Sequence, residues 1–286
     1  MTFVLICKIR KARKERVNGL SVSWKAYLID LDGTLYHGTR IIPGADQLIN
    51  GLLEKKIPFL FVTNNSSRTP AAVAAHLQAM GIPAKEEEVC TSAIAAAEYI
   101  ATRMPDSKIA PIGEAGLIDA LQKAGLNLDF EQPDVVVQGI DRNFTYETLT
   151  QAARWIGAGA RYVLTNPDLL LPSQEGLMPG AGTLSAAIQA ATGVKPVVIG
   201  KPSEHLMNYA ITRLGLKHEE VAVIGDNMQT DIAAGVNAGC GTILALTGVT
   251  TQDNLPDFVR TSGVKPDIVC SSLQEVHAAI CGQKEA

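Results

Sequence analysis

An apolar run, Ala26-Tyr27-Leu28-Ile29, leads straight into Asp30-Leu31-Asp32-Gly33-Thr34. Two carboxylates two residues apart therefore stand where a buried strand would end. In open α/β sheets, ligands sit beyond the carboxyl ends of the strands, so both acids fall where chemistry is usually done. A carboxylate there without a local partner is costly unless a cation or a reaction needs it. Gly33 lets the backbone turn sharply and aim N–H groups at an anion. Three other strand ends share this style. Residues 59–63 end in Thr63-Asn64-Asn65, residues 197–200 end in Gly200-Lys201-Pro202, and residues 221–225 end in Gly225-Asp226-Asn227-Met228-Gln229-Thr230-Asp231. One rim would then offer a carboxylate pair, a hydroxyl, a lysine and a second acidic pair. Acids hold a hard cation; the lysine, hydroxyl and amides hold an anion. Phosphate with Mg2+ suits that mixture best.

The elements that must position these groups are legible from residue 24 onward. Short apolar runs rich in β-branched residues are expected as strands at 26–30, 58–63, 108–112, 135–138, 161–164, 196–200, 221–225, 242–246 and 267–269. Ala- and Leu-rich stretches between them are expected as helices at 45–55, 70–80, 92–103, 115–123, 146–158, 182–191, 204–214, 230–238 and 273–280. Runs that are apolar throughout suit strands covered on both faces. Their alternation with helices implies parallel sheets and right-handed crossovers. Pro70 and Pro202 sit near helix starts, where a missing N–H costs little. Gly81, Gly125 and Gly215 follow apolar stretches, where a left-handed cap is expected. The interval from about Pro105 to Lys195 is too long for a crossover and carries its own strands and helices.

The four signatures DLDGT, TNN, GKP and GDNMQTD, in that order, resemble the haloacid dehalogenase (HAD) phosphatase superfamily. Their spacing is similar to its NagD-like branch, which includes p-nitrophenylphosphatases, acid sugar phosphatases and pyridoxal phosphate phosphatases. The resemblance covers essentially residues 24–280. It implies a Rossmann-like parallel-sheet α/β core, residues 24–104 and 196–286, with an inserted α/β cap of the C2 type, residues 105–195. It also implies a Mg2+-dependent phosphatase of small phosphomonoesters. Asp30 would be the nucleophile that forms an aspartyl-phosphate. Asp32 would be general acid, then general base, and would turn its backbone carbonyl to the metal. Asp30 and Asp226 would hold Mg2+, with Asp231 and Asn227 supporting from behind. Thr63, Asn64, Asn65 and the amide of Gly33 would grip phosphate oxygens, and Lys201 would offset their charge. The stretch 165–172 looks like the family's substrate-facing loop, with Leu171 and Pro172 where leaving groups are contacted. Asp32 separates this chain from the dehalogenases, which lack that acid and need no metal.

The remaining composition excludes more than it assigns. A chain of 286 residues leans towards two domains at roughly 150 residues each. Its net charge of -4 argues against a protein that coats nucleic acid. No apolar run reaches the roughly 18 residues of a membrane helix. The five cysteines contain no CxxC pair, so buried thiols in a reducing cytoplasm are expected. His37, His76, His205, His218 and His277 form no HExxH and read as surface or packing residues. No GxSxG elbow occurs, and Gly180-Ala181-Gly182 reads as a loop near a domain junction. Residues 1–23, with the basic stretch Lys8 to Arg16, read as a loosely ordered extension. A small phosphorylated metabolite is the expected partner, and the family allows a homodimer. A phospho-acceptor or phospholigand-binding protein on the same scaffold is the rival reading, as is phosphoryl transfer to an acceptor other than water. Asp32 and the long inserted stretch speak against the receiver type. Sugar phosphates, acid sugar phosphates, nucleotides, p-nitrophenyl phosphate and pyridoxal phosphate all stay open as substrates.

Overall fold

The computed structural model describes residues 24–173 and 176–282; the basic stretch expected to be loosely ordered lies outside them. The first half of one sheet is built from β1 (Ala26–Ile29), a small hairpin of β2 (Tyr36–His37) and β3 (Arg40–Ile41), α1 (Ala45–Glu54), β4 (Phe59–Thr63), α2 (Pro70–Ala79), β5 (Val89–Thr91) and α3 (Ser92–Arg103). The chain then leaves for a second sheet. That layer holds β6 (Lys108–Ile112), α4 (Ala115–Lys123), β7 (Asn127–Leu128), β8 (Val135–Gln138), α5 (Tyr146–Gly157), β9 (Arg161–Leu164), the hairpin β10 (Leu170–Ser173) and β11 (Gly176–Pro179), α6 (Ala181–Thr192) and β12 (Val197–Val198). It returns to finish the first sheet with α7 (His205–Leu214), β13 (Val221–Gly225), a π-turn at Met228–Ile232, α8 (Ala233–Asn237), β14 (Gly241–Ala245), α9 (Leu255–Ser262), β15 (Ile268–Cys270) and α10 (Leu273–Cys281).

The first sheet is parallel throughout, in the order β15-β14-β13-β1-β4-β5. From β1 the chain builds outward to β5 and later resumes on the other side at β13. The order therefore reverses between β1 and β13, which opens a crevice at their carboxyl ends. Asp30 closes β1 there, and Asp226 follows β13. Alternate residues of one strand feed opposite cores. Ala26, Leu28, Leu60, Val62, Val221 and Val223 lie in one cluster. Tyr27, Ile29, Phe59, Phe61, Ala222 and Ile224 lie in the other. Both faces are covered, which is why these strands read as unbroken apolar runs.

The inserted sheet is parallel too, in the order β12-β9-β8-β6-β7. It is not a loose appendage. Ile109, Leu117, Leu121, Val135 and Val137 belong to the same apolar cluster as α3 and α7 of the first sheet. Burial of that shared face seats one layer on the other.

Several expectations change in detail. The strand expected at 196–200 is only Val197–Val198, and it pairs with β9 of the inserted sheet rather than with the first sheet. Lys201 therefore arrives on the chain returning from the second layer. The helix expected at 230–238 begins as the π-turn, because Asn227 caps it and Asp231 must point inward. Gly180-Ala181-Gly182 is a helix start, not a loop. A Cβ on Gly182 would lie 2.1 Å from the Pro167 carbonyl oxygen, so the glycine lets α6 approach the 165–168 loop. Both hairpins, β5, β7 and α9 lie outside the stretches expected as strands and helices.

Candidate active site

Asp30, Asp226 and Asp231 converge from two loops. A carboxylate oxygen from each lies within 4.8 Å of the other two, and all three residues are buried. Lys201 stands among them, itself buried, with Nζ donating to Asp30 and, at 2.7 Å, to Asp231. The Thr34 hydroxyl sits between two acids, 3.1 Å from Asp30 Oδ2 and 3.0 Å from Asp226 Oδ1, and its one proton serves either. The other Asp226 oxygen accepts the Val249 N–H at 2.6 Å, and Asp231 Oδ2 accepts the Asn227 N–H at 3.0 Å.

The electrostatics follow from the count. Three buried carboxylates face one buried ammonium. Burial first, and the charge of Asp30 second, push the Asp226 carboxyl up to about 6 and that of Asp231 up to about 8. Burial works against the Lys201 ammonium, but Asp231 and Asp30 outweigh it and keep it protonated above the ordinary lysine range. Oxygen donors in negative excess are the donor set of a hard divalent cation. Glycines leave the room: a Cβ on Gly33, at φ 90°, would lie 2.7 Å from both Asp226 oxygens, and one on Gly248 would lie 2.1 Å from Oδ2. The residues present thus fit a metal ion beside Asp30 and Asp226.

Asp32 is different. It lies at the mouth of the cleft, exposed on one side. Desolvation by the surrounding protein, then the charge of Asp30, raise its carboxyl above the usual range, while His37 and His76 oppose this. A carboxyl that keeps its proton longer than an ordinary carboxyl can serve as an acid. Neither histidine was expected here; His37 Nε2 lies 2.9 Å from the Thr247 carbonyl oxygen and His76 Nε2 lies 3.0 Å from that of Gly38.

The other expected residues divide. Thr63 Oγ1 accepts the Asn65 N–H at 3.1 Å, which leaves the hydroxyl proton free to donate into the cleft. Asn65 Oδ1 caps the following turn through the N–H groups of Ser67 and Arg68, at 3.0 and 2.9 Å. The Gly33 N–H donates to the Tyr36 carbonyl at 2.8 Å. The amides of Gly33 and Asn65 are thus engaged within their own loops rather than offered to an anion. The Asn64 side chain is also committed: Oδ1 accepts the Lys201 N–H at 2.8 Å, and Nδ2 donates to the Lys201 carbonyl at 3.0 Å. Asn227 Oδ1 accepts the Gln229 N–H at 2.9 Å and shapes the π-turn. Leu171 lines the cleft; Pro172 lies in β10, and its side chain falls outside the described residues.

The cleft has a volume of about 610 Å3 and opens between the two layers. Its inner wall is the carboxylate cluster. Its outer wall comes from the inserted layer, with Ile140, Arg142, Asp168 and Leu169–Leu171. Arg142 is held there by Glu114, which accepts from Nη1 at 2.7 and 2.9 Å. Thr34, Arg142 and Asp168 escaped the sequence reading. Thr34 had a signal in its place within DLDGT and Asp168 in its place within the stretch 165–172; Arg142 had none beyond lying in the inserted stretch. The thiols of Cys90 and Cys240 are pushed by burial up to about 11 and about 12, which suits inert packing groups.

A haloacid dehalogenase-like hydrolase family model matches residues 27–127, and a HAD-hydrolase-like model matches residues 198–276. The 5'-nucleotidase YutF of Bacillus subtilis is 44% identical over 253 residues, which cover 88% of this chain and 97% of that protein. An acid sugar phosphatase of Staphylococcus aureus is 44% identical over 258 residues, 90% of this chain and 98% of its own. Among solved structures, the p-nitrophenyl phosphatase from Archaeoglobus fulgidus superposes with a TM-score of 0.85 at 38% identity, over 90% of this chain and 99% of that one.

Proposed function

The chain belongs to the haloacid dehalogenase-like hydrolases, among their NagD-like phosphatases, and on that premise we propose that it is a Mg2+-dependent phosphatase of small phosphomonoesters that works through phospho-Asp30. The observation that carries this reading is the meeting of Asp30, Asp226 and Asp231 around Lys201, with a second acid, Asp32, across the cleft mouth. A structural cluster would have no use for so much uncompensated buried charge.

Asp30 and Asp226, with the backbone carbonyl of Asp32, would hold Mg2+, which when bound neutralises phosphate charge as a Lewis acid. An Asp30 oxygen attacks phosphorus; the O–P bond forms as the bond to the leaving oxygen breaks. Asp32 gives its proton to that oxygen, and the alcohol departs. Asp32, now a carboxylate, takes a proton from the incoming water, whose oxygen attacks the phosphoryl group and returns Asp30 with inorganic phosphate. Lys201 offsets charge on Asp30 and on the phosphoryl oxygens. The Thr63 hydroxyl and the backbone N–H of Asn64 bind those oxygens. Such preorganised groups carry most of the catalysis in phosphoryl transfer. The inserted layer, β6 to β12, acts as the cap that encloses the site and meets the leaving group through Leu171. Apolar contacts there select shape without strong polar discrimination, which favours a broad range of sugar phosphates, acid sugar phosphates and nucleotides in the cytoplasm.

The test is p-nitrophenyl phosphate turnover with Mg2+ and after EDTA. Turnover that stops with EDTA and returns with Mg2+ is expected, with a phosphoryl group trapped on Asp30 by rapid acid quench. Undiminished turnover in metal-free protein would falsify this reading.

A further inference from the structure

The loop after β9 runs from the inserted layer to the wall of the cleft and carries Asp168 there. The Asp168 carboxylate accepts from Asn64 Nδ2, at 3.1 Å to one oxygen and 3.2 Å to the other. Among the described residues, no lysine, arginine or histidine forms an ion pair with it. Its partner is an amide whose remaining bonds both go to the backbone of one residue, Lys201. Asn64 takes the Lys201 N–H and gives to the Lys201 carbonyl, so it flanks the lysine backbone as a neighbouring strand would. The Lys201 side chain then lies on Asp30 and Asp231.

The surroundings leave this linkage little freedom. A Cβ on Gly200 would sit 2.5 Å from Asn64 Oδ1 and 2.6 Å from the Thr165 carbonyl oxygen. Asn166 Nδ2 donates to the Asn64 carbonyl at 2.8 Å, and Asn166 Oδ1 accepts the Asp168 N–H at 3.3 Å. The Asp168 carbonyl accepts the Gly182 N–H at 2.9 Å, at the start of α6. A Cβ on Gly180 would lie 2.2 Å from that same carbonyl oxygen. Asp168 is thus anchored to its own layer, and its carboxylate reaches across to the other.

We propose that Asp168 is a positioning residue: by orienting the Asn64 amide it couples the seating of the inserted layer to the placement of Lys201 beside Asp30. The proposal rests on the roles of Lys201 and Asp30 given above. Small displacements of a charged group at a reacting centre cost rate rather than affinity. When the inserted layer lifts, the carboxylate leaves, one Asn64 proton loses its acceptor, and the Lys201 peptide loosens. The lysine is in place only when the cleft is covered.

The experiment compares the wild type with Asp168→Ala, Asp168→Asn, Asn64→Ala and the Asn64→Ala/Asp168→Ala double variant. Two readouts are taken: amide exchange of the peptide that contains Lys201, and kcat and KM for p-nitrophenyl phosphate and for a hexose phosphate. In Asp168→Ala the Lys201 amide should exchange about tenfold faster or more, and kcat should fall by about tenfold or more on both substrates with KM nearly unchanged. Asp168→Asn should restore both, since its amide oxygen still accepts from Asn64. In the Asn64→Ala background, loss of Asp168 should change nothing further, the mark of a residue that acts through another. Unchanged exchange and kcat in Asp168→Ala, additive losses in the double variant, or no rescue by Asp168→Asn would each overturn the proposal. So would a loss confined to KM for the hexose phosphate, which would make Asp168 a contact for substrate hydroxyls. The exchange measurement needs no turnover; an inactive wild type would refute the phosphatase reading, and the exchange data would still decide the coupling.

Discussion

Replacing Asp226 by Asn should stabilise the metal-free protein while abolishing turnover. Asp226 is 1% exposed and its two oxygens accept from Val249 and Thr34. Burial and the neighbouring Asp30 raise its carboxyl from 3.8 to about 6. The sign follows from proton counting. Between about pH 4 and about pH 6 the folded protein keeps a proton that the unfolded chain has already released, so stability falls as pH rises through that window. Above it the full cost stands, and a rise from 3.8 to about 6 corresponds to about 3 kcal/mol. Asparagine carries no charge. Its Oδ1 still accepts the Val249 N–H, and its Nδ2 donates to the Thr34 oxygen, whose proton stays with Asp30. At about 2–4 °C per kcal/mol for a protein of comparable size, the Tm in EDTA at pH 8 should rise by about 6–12 °C. At pH 4 the two proteins should melt together. Mg2+ reverses the ranking, because only the wild type offers the carboxylate: its Tm rises with added Mg2+ at pH 8, and that of Asp226→Asn does not. Calorimetry or fluorescence melts of both proteins in the three conditions suffice. An Asp226→Asn protein less stable than wild type in EDTA at pH 8, or equal stabilisation of both by Mg2+, would refute the reasoning.

Asp32→Asn should lower kcat by about 100-fold or more yet keep the Mg2+-induced rise in Tm, because only its backbone carbonyl would face the metal; loss of that rise would contradict the assigned role. Lys201→Met leaves Asp30 and Asp231 without their ammonium and should destabilise the protein by about 3–5 kcal/mol at pH 8. The deficit should shrink towards pH 5, as Asp231, already pushed up to about 8, takes up a proton; urea melts at the two pH values measure it. Gly33→Ala drives a Cβ into the Asp226 carboxylate from a left-handed backbone position, and should remove both turnover and the Tm response to Mg2+ while leaving the secondary structure seen by circular dichroism intact.

The parallel first sheet was legible because its strands are buried on both faces. Apolar runs such as Phe59–Thr63 and Val221–Gly225 admit no amphipathic alternative, and the observed strands match them. The paired acids were legible for a related reason: Asp30 and Asp226 follow such runs directly, so the end of the strand and the start of the chemistry coincide. Val197–Val198 misled because its composition does not say which sheet it joins. Hairpins such as Leu170–Ser173 with Gly176–Pro179 carry exposed leucines, Leu170 at 55% and Leu177 at 71%, and so lack the buried pattern that marks a core strand.

From the order of residues alone came most of the elements, the four loops and the chemical kinds of group they bear, since periodicity and strand-end position are local properties. Three-dimensional packing decided how those groups are used. Sequence neighbours did not predict that the Asn64 amide would be spent on Lys201 and Asp168, that the Gly33 and Asn65 amides would close their own turns, or that Thr34 would stand between two carboxylates. The Asn64 bonds depend on Asp168 and the returning Lys201 backbone arriving within about 3 Å, the range of a hydrogen bond, a distance set when the two sheets bury their shared apolar face; Thr34 meets Asp226 only because β13 pairs beside β1, and the two loop amides are spent on bonds inside their own turns.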